Sequence, residues 1–142
     1  MNTTLRRAAG FTLLELLVVV TIIAILSAIA IPSYRQYVLR GHRTDATRAL
    51  QDLAAREENF YFANNAYSKV LTTDLNSSAN MAGAYFNITI PSASSTDYTL
   101  RAEALDPQTQ DTMCAAFTLD RAGNSLSTSA GGADTSTTCW GK

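Results

Sequence analysis

Glu15 is the single ionisable side chain in an apolar run that spans residues 11–31. A carboxylate held in hydrocarbon costs on the order of 2.5–3.5 kcal/mol on insertion scales, so it calls for a cationic partner or a functional reason. It lies just inside an abrupt boundary, where an arginine-bearing leader ends at Gly10 and Phe11-Thr12-Leu13-Leu14-Glu15-Leu16 begins. Other reactive side chains are sparse. Cys114 and Cys139 are the only cysteines, and they lack the clustered spacing of zinc ligands. His42 is the sole histidine; beside Gly41 in a charged segment it reads as a surface residue. No Ser or Cys can be assigned a base and an orienting partner. Without a phosphate loop, a dinucleotide fingerprint or a metal-ligand cluster, the chain offers no basis for an enzyme, a cofactor or a metal site.

The element that must position Glu15 is a helix. Residues 11–31 would rise about 31 Å as an α-helix, roughly one bilayer core. Leu, Ile, Val and Phe dominate it, and a polar backbone survives in hydrocarbon only as a helix or a closed barrel. Ala28-Ile29-Ala30 fits a secretory cleavage site, but the run is longer than the roughly 7–15 residues of an ordinary signal. It also carries Glu15, with Pro32 close behind. A plain membrane anchor leaves Glu15 without a reason. Arg6-Arg7 is discounted as a twin-arginine signal, because no Ser or Thr directly precedes the pair and Phe11 is set too far back.

Helical periodicity continues beyond the apolar run to about residue 62. Pro32 should kink this helix, because proline removes one backbone donor and clashes with the preceding turn. Over residues 38–62, Ala46, Ala49, Leu50, Leu53, Phe60 and Tyr61 share one side, while Asp45, Arg48, Asp52 and Arg56 form an alternating charge ladder on the other. Glu57 falls in the apolar arc, where it either snorkels or pairs with the remainder of the chain. A connection over 63–84 ends the helix near Asn64-Asn65, and strands follow at 85–90, 98–104, roughly 112–120 and, short, 125–127, with a turn at Arg121-Ala122-Gly123-Asn124. The expected fold class is α+β, a long N-terminal helix packed on three or four antiparallel strands.

The residues Arg6-Arg7-Ala8-Ala9-Gly10 followed by Phe11-Thr12-Leu13-Leu14-Glu15 resemble the class III leader of type IV prepilins. Ile31-Pro32-Ser33-Tyr34, Tyr37-Val38, Arg43-Thr44, Ala54-Ala55-Arg56-Glu57, Tyr98-Thr99-Leu100, Asp111 with Cys114, Gly123 and Cys139-Trp140 extend the resemblance to PilE-type minor pilins of type IVa pili. It implies the type IV pilin fold. It also implies cleavage by a prepilin peptidase after Gly10, methylation of Phe11, and a Glu15 that neutralises the amino terminus of a neighbouring subunit. An internal pair within one chain is the alternative for Glu15, since positions 11 and 15 share a helix face. In an exported domain Cys114 and Cys139 are expected to form a disulfide, with free buried thiols as the alternative, and the resemblance makes them the bounds of a D-region loop, 114–139. Closing about 25 residues is worth roughly 3–4 kcal/mol.

The resemblance divides the chain into a leader, 1–10, a helix, 11–62, with a membrane and filament-core half 11–31, and a globular head, 63–142, with an αβ-loop at 63–84 and a sheet at 85–127. Removing the leader leaves about 110 residues beyond the apolar helix, enough for one small head. It also leaves 9 cationic against 12 anionic side chains, so nucleic acid is not an expected partner. Arginines crowd the C-terminal flank of the apolar run, at 35, 40, 43 and 48, and by counting alone would turn the helix the other way. The family orientation instead places the leader in the cytoplasm and the head in the periplasm before assembly, and on an extracellular pilus afterwards. The implied partners are major and minor pilins, the peptidase, the inner membrane and the assembly platform, in a filament serving adhesion and twitching motility. A major pilin, a type II secretion pseudopilin and a pilus-displayed DNA-uptake or adhesin subunit are the alternatives.

Overall fold

The structure is a computed structural model that describes residues 10–141. Residues 1–9, with Arg6 and Arg7, and Lys142 lie outside the described residues. The chain divides into two compact units, one up to Tyr37 and one from Val38. A single helix, α1 (Leu13–Asn64), runs through Pro32 without interruption.

In the first unit α1 is long and apolar enough to cross a membrane. Leu13, Leu16, Ile23 and Ile29 are all exposed, as a helix made for lipid or for other helices would be. Two of its hydroxyls bond within the helix: Thr21 donates to the Leu17 carbonyl at 2.8 Å and Ser33 to the Ile29 carbonyl at 3.0 Å. Such internal bonds let Thr and Ser sit in hydrocarbon without unpaired donors.

In the second unit Ala46, Ala49, Leu50 and Leu53 are buried, at the spacing that defines one helix face, and Phe60 and Tyr61 are partly buried against the same core. The helix ends as Asn64-Asn65 suggested. Asn65 adopts a left-handed conformation with φ 52°, its N–H donates to the Tyr61 carbonyl, and the Asn64 side chain donates to Phe60, an asparagine version of the left-handed C-cap.

Four strands, β1 (Phe86–Ala93), β2 (Tyr98–Ala104), β3 (Ala116–Asp120) and β4 (Ser125–Thr128), form an antiparallel meander in chain order. Phe86, Ile88, Tyr98, Leu100, Ala102, Phe117 and Leu119 are buried, with burial alternating over the first five residues of β1 and of β2, and the register sets Ala102 between Ile88 and Phe117 and Leu100 opposite Leu119. Gly123, at φ 82°, closes the turn before β4, and the Asp120 carboxylate accepts from the Asn124 backbone and side chain.

Two expectations need correcting here. Strand β3 starts at Ala116, not Thr112, because residues 112–114 form a turn in which Cys114 N–H donates to the Asp111 carbonyl; pairing with β4 begins only where Ala115 N–H donates to the Thr128 carbonyl. His42 is not a free surface residue. It is half-buried and stacks on Tyr85 with ring centroids 3.5 Å apart.

Candidate assembly site and head anchors

At the start of α1 the order Thr12-Leu13-Leu14-Glu15 is a capping-box sequence. Half of the box is made: Thr12 Oγ1 accepts from the Glu15 backbone N–H at 3.2 Å. The Glu15 side chain makes no hydrogen bond or ion pair among the described residues and is exposed. Thr12 therefore fixes the backbone of the first turn and leaves the carboxylate available. Gly10 and Phe11 precede the helix, both exposed.

From Val38 onward the helix is clamped to the head at two levels. At the first, Arg43 donates from Nε to Asp111 Oδ2 at 2.6 Å and from Nη2 to Oδ1 at 2.9 Å, with little of either side chain in solvent. Beside it His42 Nδ1–H donates to Gln108 Oε1 at 2.9 Å, and Gln108 Nε2 donates to the Leu39 carbonyl at 3.1 Å. Gln108, fully buried, thus turns helix-backbone recognition into a specific docking of the loop between β2 and β3.

At the second level Glu57 is wholly buried. Its Oε2 accepts from Ser68 N–H at 2.9 Å, while Oε1 has no partner among the described residues. Desolvation raises its pKa above the ordinary glutamate value, and the Ser68 hydrogen bond only partly offsets this. Between snorkelling and pairing with the head, Glu57 does the latter. Arg56 keeps its pair in the charge ladder, donating to Asp52 at 2.9 Å, and donates as well to the carbonyls of Leu75 and Asn76. Tyr67, buried and stacked on Tyr61, donates to Glu58 and accepts from Arg121 Nε at 2.7 Å. Burial pushes the Tyr98 phenol up to about 12.

The segment between Cys114 and Cys139 is held by covalent and polar contacts. Cys114 and Cys139 form a disulfide with Cα atoms 5.9 Å apart. A short helix, α2 (Ser136–Cys139), lies beside β4, where Ser127 N–H donates to Ser136 Oγ and Thr135 N–H to the Ser127 carbonyl. Trp140 packs edge-on against Phe117, and its Nε1–H donates to the Leu126 carbonyl at 2.7 Å.

Two family patterns match this chain. Residues 5–31 match the prokaryotic N-terminal methylation motif, and residues 32–118 match the family described as type IV minor pilin ComP, DNA uptake sequence receptor. The chain belongs to the type IV pilins. The pilin is 35% identical to the type IV wide pilus major component PilA4 of Thermus thermophilus over 66% of its own length and 72% of that protein. It is 31% identical to the type IV major pilin protein PilE of Neisseria gonorrhoeae, over 54% of this chain and 46% of that one. The non-core minor pilin PilV of Neisseria meningitidis shares the fold, with a TM-score of 0.50 at 20% identity over 66% of this pilin and 89% of PilV. The long helix and four-stranded sheet are thus a type IV pilin fold. The pilin is a structural subunit and not an enzyme; it is anchored in the membrane as a precursor and assembles with other pilins into filaments at the cell surface.

Sequence reasoning missed several anchors of this pilin. The capping box was legible as T-x-x-E. Gln108 and the Arg43–Asp111 pair had no local signal, because their partners lie 66 to 69 residues away.

Proposed function

We propose that this pilin is a PilE-like minor subunit of a type IV pilus, cleaved after Gly10 and methylated at Phe11, with a Glu15 that pairs with the amino terminus of a neighbouring subunit. The observation that carries the pairing is the Glu15 carboxylate, which has no partner among the described residues although its own backbone is capped by Thr12. Cleavage creates a cationic α-amino group four residues away. In a setting of low dielectric an unpaired charge is penalised and an opposite charge attracts strongly. Transfer of residues 11–31 from lipid to packed helices is not driven by water exclusion, so packing and this ion pair supply the specificity. A bend at Pro32, which deprives the Ala28 carbonyl of its donor, would let the two halves of the helix follow different neighbours. Adhesion and twitching motility are the activities such a filament would serve.

Mass and N-terminal analysis of the protein from sheared filaments tests this reading. The expected result is a methylated Phe11 start at low copy number relative to a major pilin. A start at Ile31 would overturn the processing route, and a dominant copy number would make this the major subunit.

The family description as a DNA uptake sequence receptor supports a second reading, a DNA-binding pilin. Its chemistry requires free cations: Arg43, Arg56 and Arg101 are paired with Asp111, Asp52 and Glu103, whereas Arg40, Arg48 and Lys69 are exposed and make no ion pair among the described residues. Salt-sensitive DNA retention by residues 38–142 on a filter would favour this reading over a purely structural subunit.

A further inference from the structure

The αβ connection carries the sequence Asp74-Leu75-Asn76-Ser77-Ser78. Asn76 followed by any residue but proline and then Ser is an N-glycosylation acceptor triplet. Asp74, two residues before the asparagine, adds a carboxylate beside the triplet, the charge that a transferase with a cationic subsite would read. We propose that Asn76 is an acceptor for an N-linked glycan, added by a bacterial membrane oligosaccharyltransferase while the pilin is still held in the membrane.

The geometry suits an acceptor. Asn76 is exposed and in the left-handed region at φ 45°, which asparagine tolerates better than most residues. Only its backbone is engaged, through a carbonyl that accepts from Arg56 Nη1 at 2.9 Å; its side-chain amide makes no hydrogen bond among the described residues. Arg56 therefore holds the turn while the acceptor amide faces solvent. Ser77 and Ser78 lie outside regular structure, and Ser78 is exposed, so its hydroxyl can be inspected by an enzyme. Asp74 is exposed and stays ionised, because hydrogen bonds from Ser68 and Thr73 hold its carboxyl below the usual carboxylate range.

A second triplet provides an internal contrast. Asn87-Ile88-Thr89 has Tyr85 at the acidic position and lies in β1, where Asn87 and Thr89 pair with Glu103 and Arg101. A ladder residue cannot adopt a transferase-bound conformation without breaking the sheet. The triplet Asn2-Thr3-Thr4 falls in the leader, outside the described residues.

In the transfer, the Asn76 amide nitrogen attacks C1 of a glycan carried on polyprenyl diphosphate. The N–C1 bond forms, the bond from C1 to the diphosphate oxygen breaks, and polyprenyl diphosphate leaves with the electron pair. One amide proton passes to the transferase or to water, and no oxidation is involved.

The test co-expresses the full chain with an acidic-residue-dependent transferase and its lipid-linked glycan, with a second acidic acceptor sequence appended after Lys142, and reads intact mass and site occupancy. The expected result is one glycan mass on Asn76, lost in N76Q and in S78A, strongly reduced in D74A and unchanged in N87Q. S78A leaves the left-handed asparagine in place, so its loss of the glycan cannot be ascribed to a strained turn. Glycan on the appended acceptor but not on Asn76 would overturn the proposal alone. Glycan on neither would overturn both the acceptor role and the periplasmic placement of the head, and retention of the mass in N76Q or S78A would exclude Asn76 as the site.

Discussion

Arg43 and Asp111 form a two-pronged ion pair across 68 residues of sequence, with contacts of 2.6 and 2.9 Å and little of either side chain in solvent. Asp111 also accepts Cys114 N–H on its backbone carbonyl at 3.2 Å. One side chain of α1 is thereby connected, through one carboxylate residue, to the base of the disulfide loop.

Removing Arg43 strands a desolvated carboxylate. R43A is expected to destabilise the head by about 3–5 kcal/mol, because breaking a buried pair leaves an uncompensated charge. R43K keeps the charge but loses the planar fork, so its loss should be intermediate. Urea unfolding of the fragment 38–142 measures both, and an R43A midpoint equal to that of the parent fragment would show that the pair is energetically idle.

Glu57 should leave a pH signature. Its folded pKa is raised, mainly by burial, above the ordinary value of 4.5, so the folded head binds more protons at this site than the unfolded chain does. The stability it contributes is present below pH 4.5 and is lost as pH rises through the raised value. The stability difference between E57Q and the parent should therefore move in favour of E57Q with rising pH and then level off. Asp74, Asp120 and Asp134, whose carboxyls are held low by hydrogen bonds, act in the opposite direction but equally in both chains. A difference that stays constant from acidic to neutral pH contradicts the assignment.

Glu15 separates insertion from assembly. E15V and E15Q should fractionate with membranes as the parent does, since removal of a charge only eases residence in hydrocarbon. They should be depleted from sheared filaments. Immunoblots of the two fractions measure the ratio, and normal filament content in E15V would sink inter-subunit pairing.

The disulfide and Trp140 report on the same region. C114S should lower head stability by about 2–5 kcal/mol. Trp140 is the only tryptophan and is bound to the Leu126 carbonyl within the loop, so its emission should shift to the red when the loop is released. Unchanged emission in C114S would mean that α2 and β4 hold the loop without the covalent bond.

The head was legible in the sequence to the extent that its order is local. Ala46, Ala49, Leu50 and Leu53 announce a buried helix face by their spacing, and Phe86, Ile88, Leu100 and Ala102 announce strands by alternation. The failure at residues 112–115 has the same origin in reverse. Their composition suits a strand, but residues 112–114 turn, with Cys114 N–H donating to the Asp111 carbonyl, and the disulfide that Cys114 makes with Cys139 anchors that turn through a residue 25 positions away.

The N-terminal methylation motif, the membrane-length helix, Glu15 inside its first turn and the pilin family itself were legible in the sequence alone, because such motifs and helix periodicity are written in consecutive residues. Tertiary structure decided how the head is locked: that Arg43 meets Asp111, that His42 lies on Tyr85 beside a buried Gln108, that Glu57 turns inward to Ser68, and that Arg56 holds the Asn76 turn. The Arg43, Gln108 and Glu57 contacts are buried or partly buried polar ones. Their partners are chosen by where the packed helix, loops and strands bring donors and acceptors within about 3 Å of each other, and only the folded chain sets that distance.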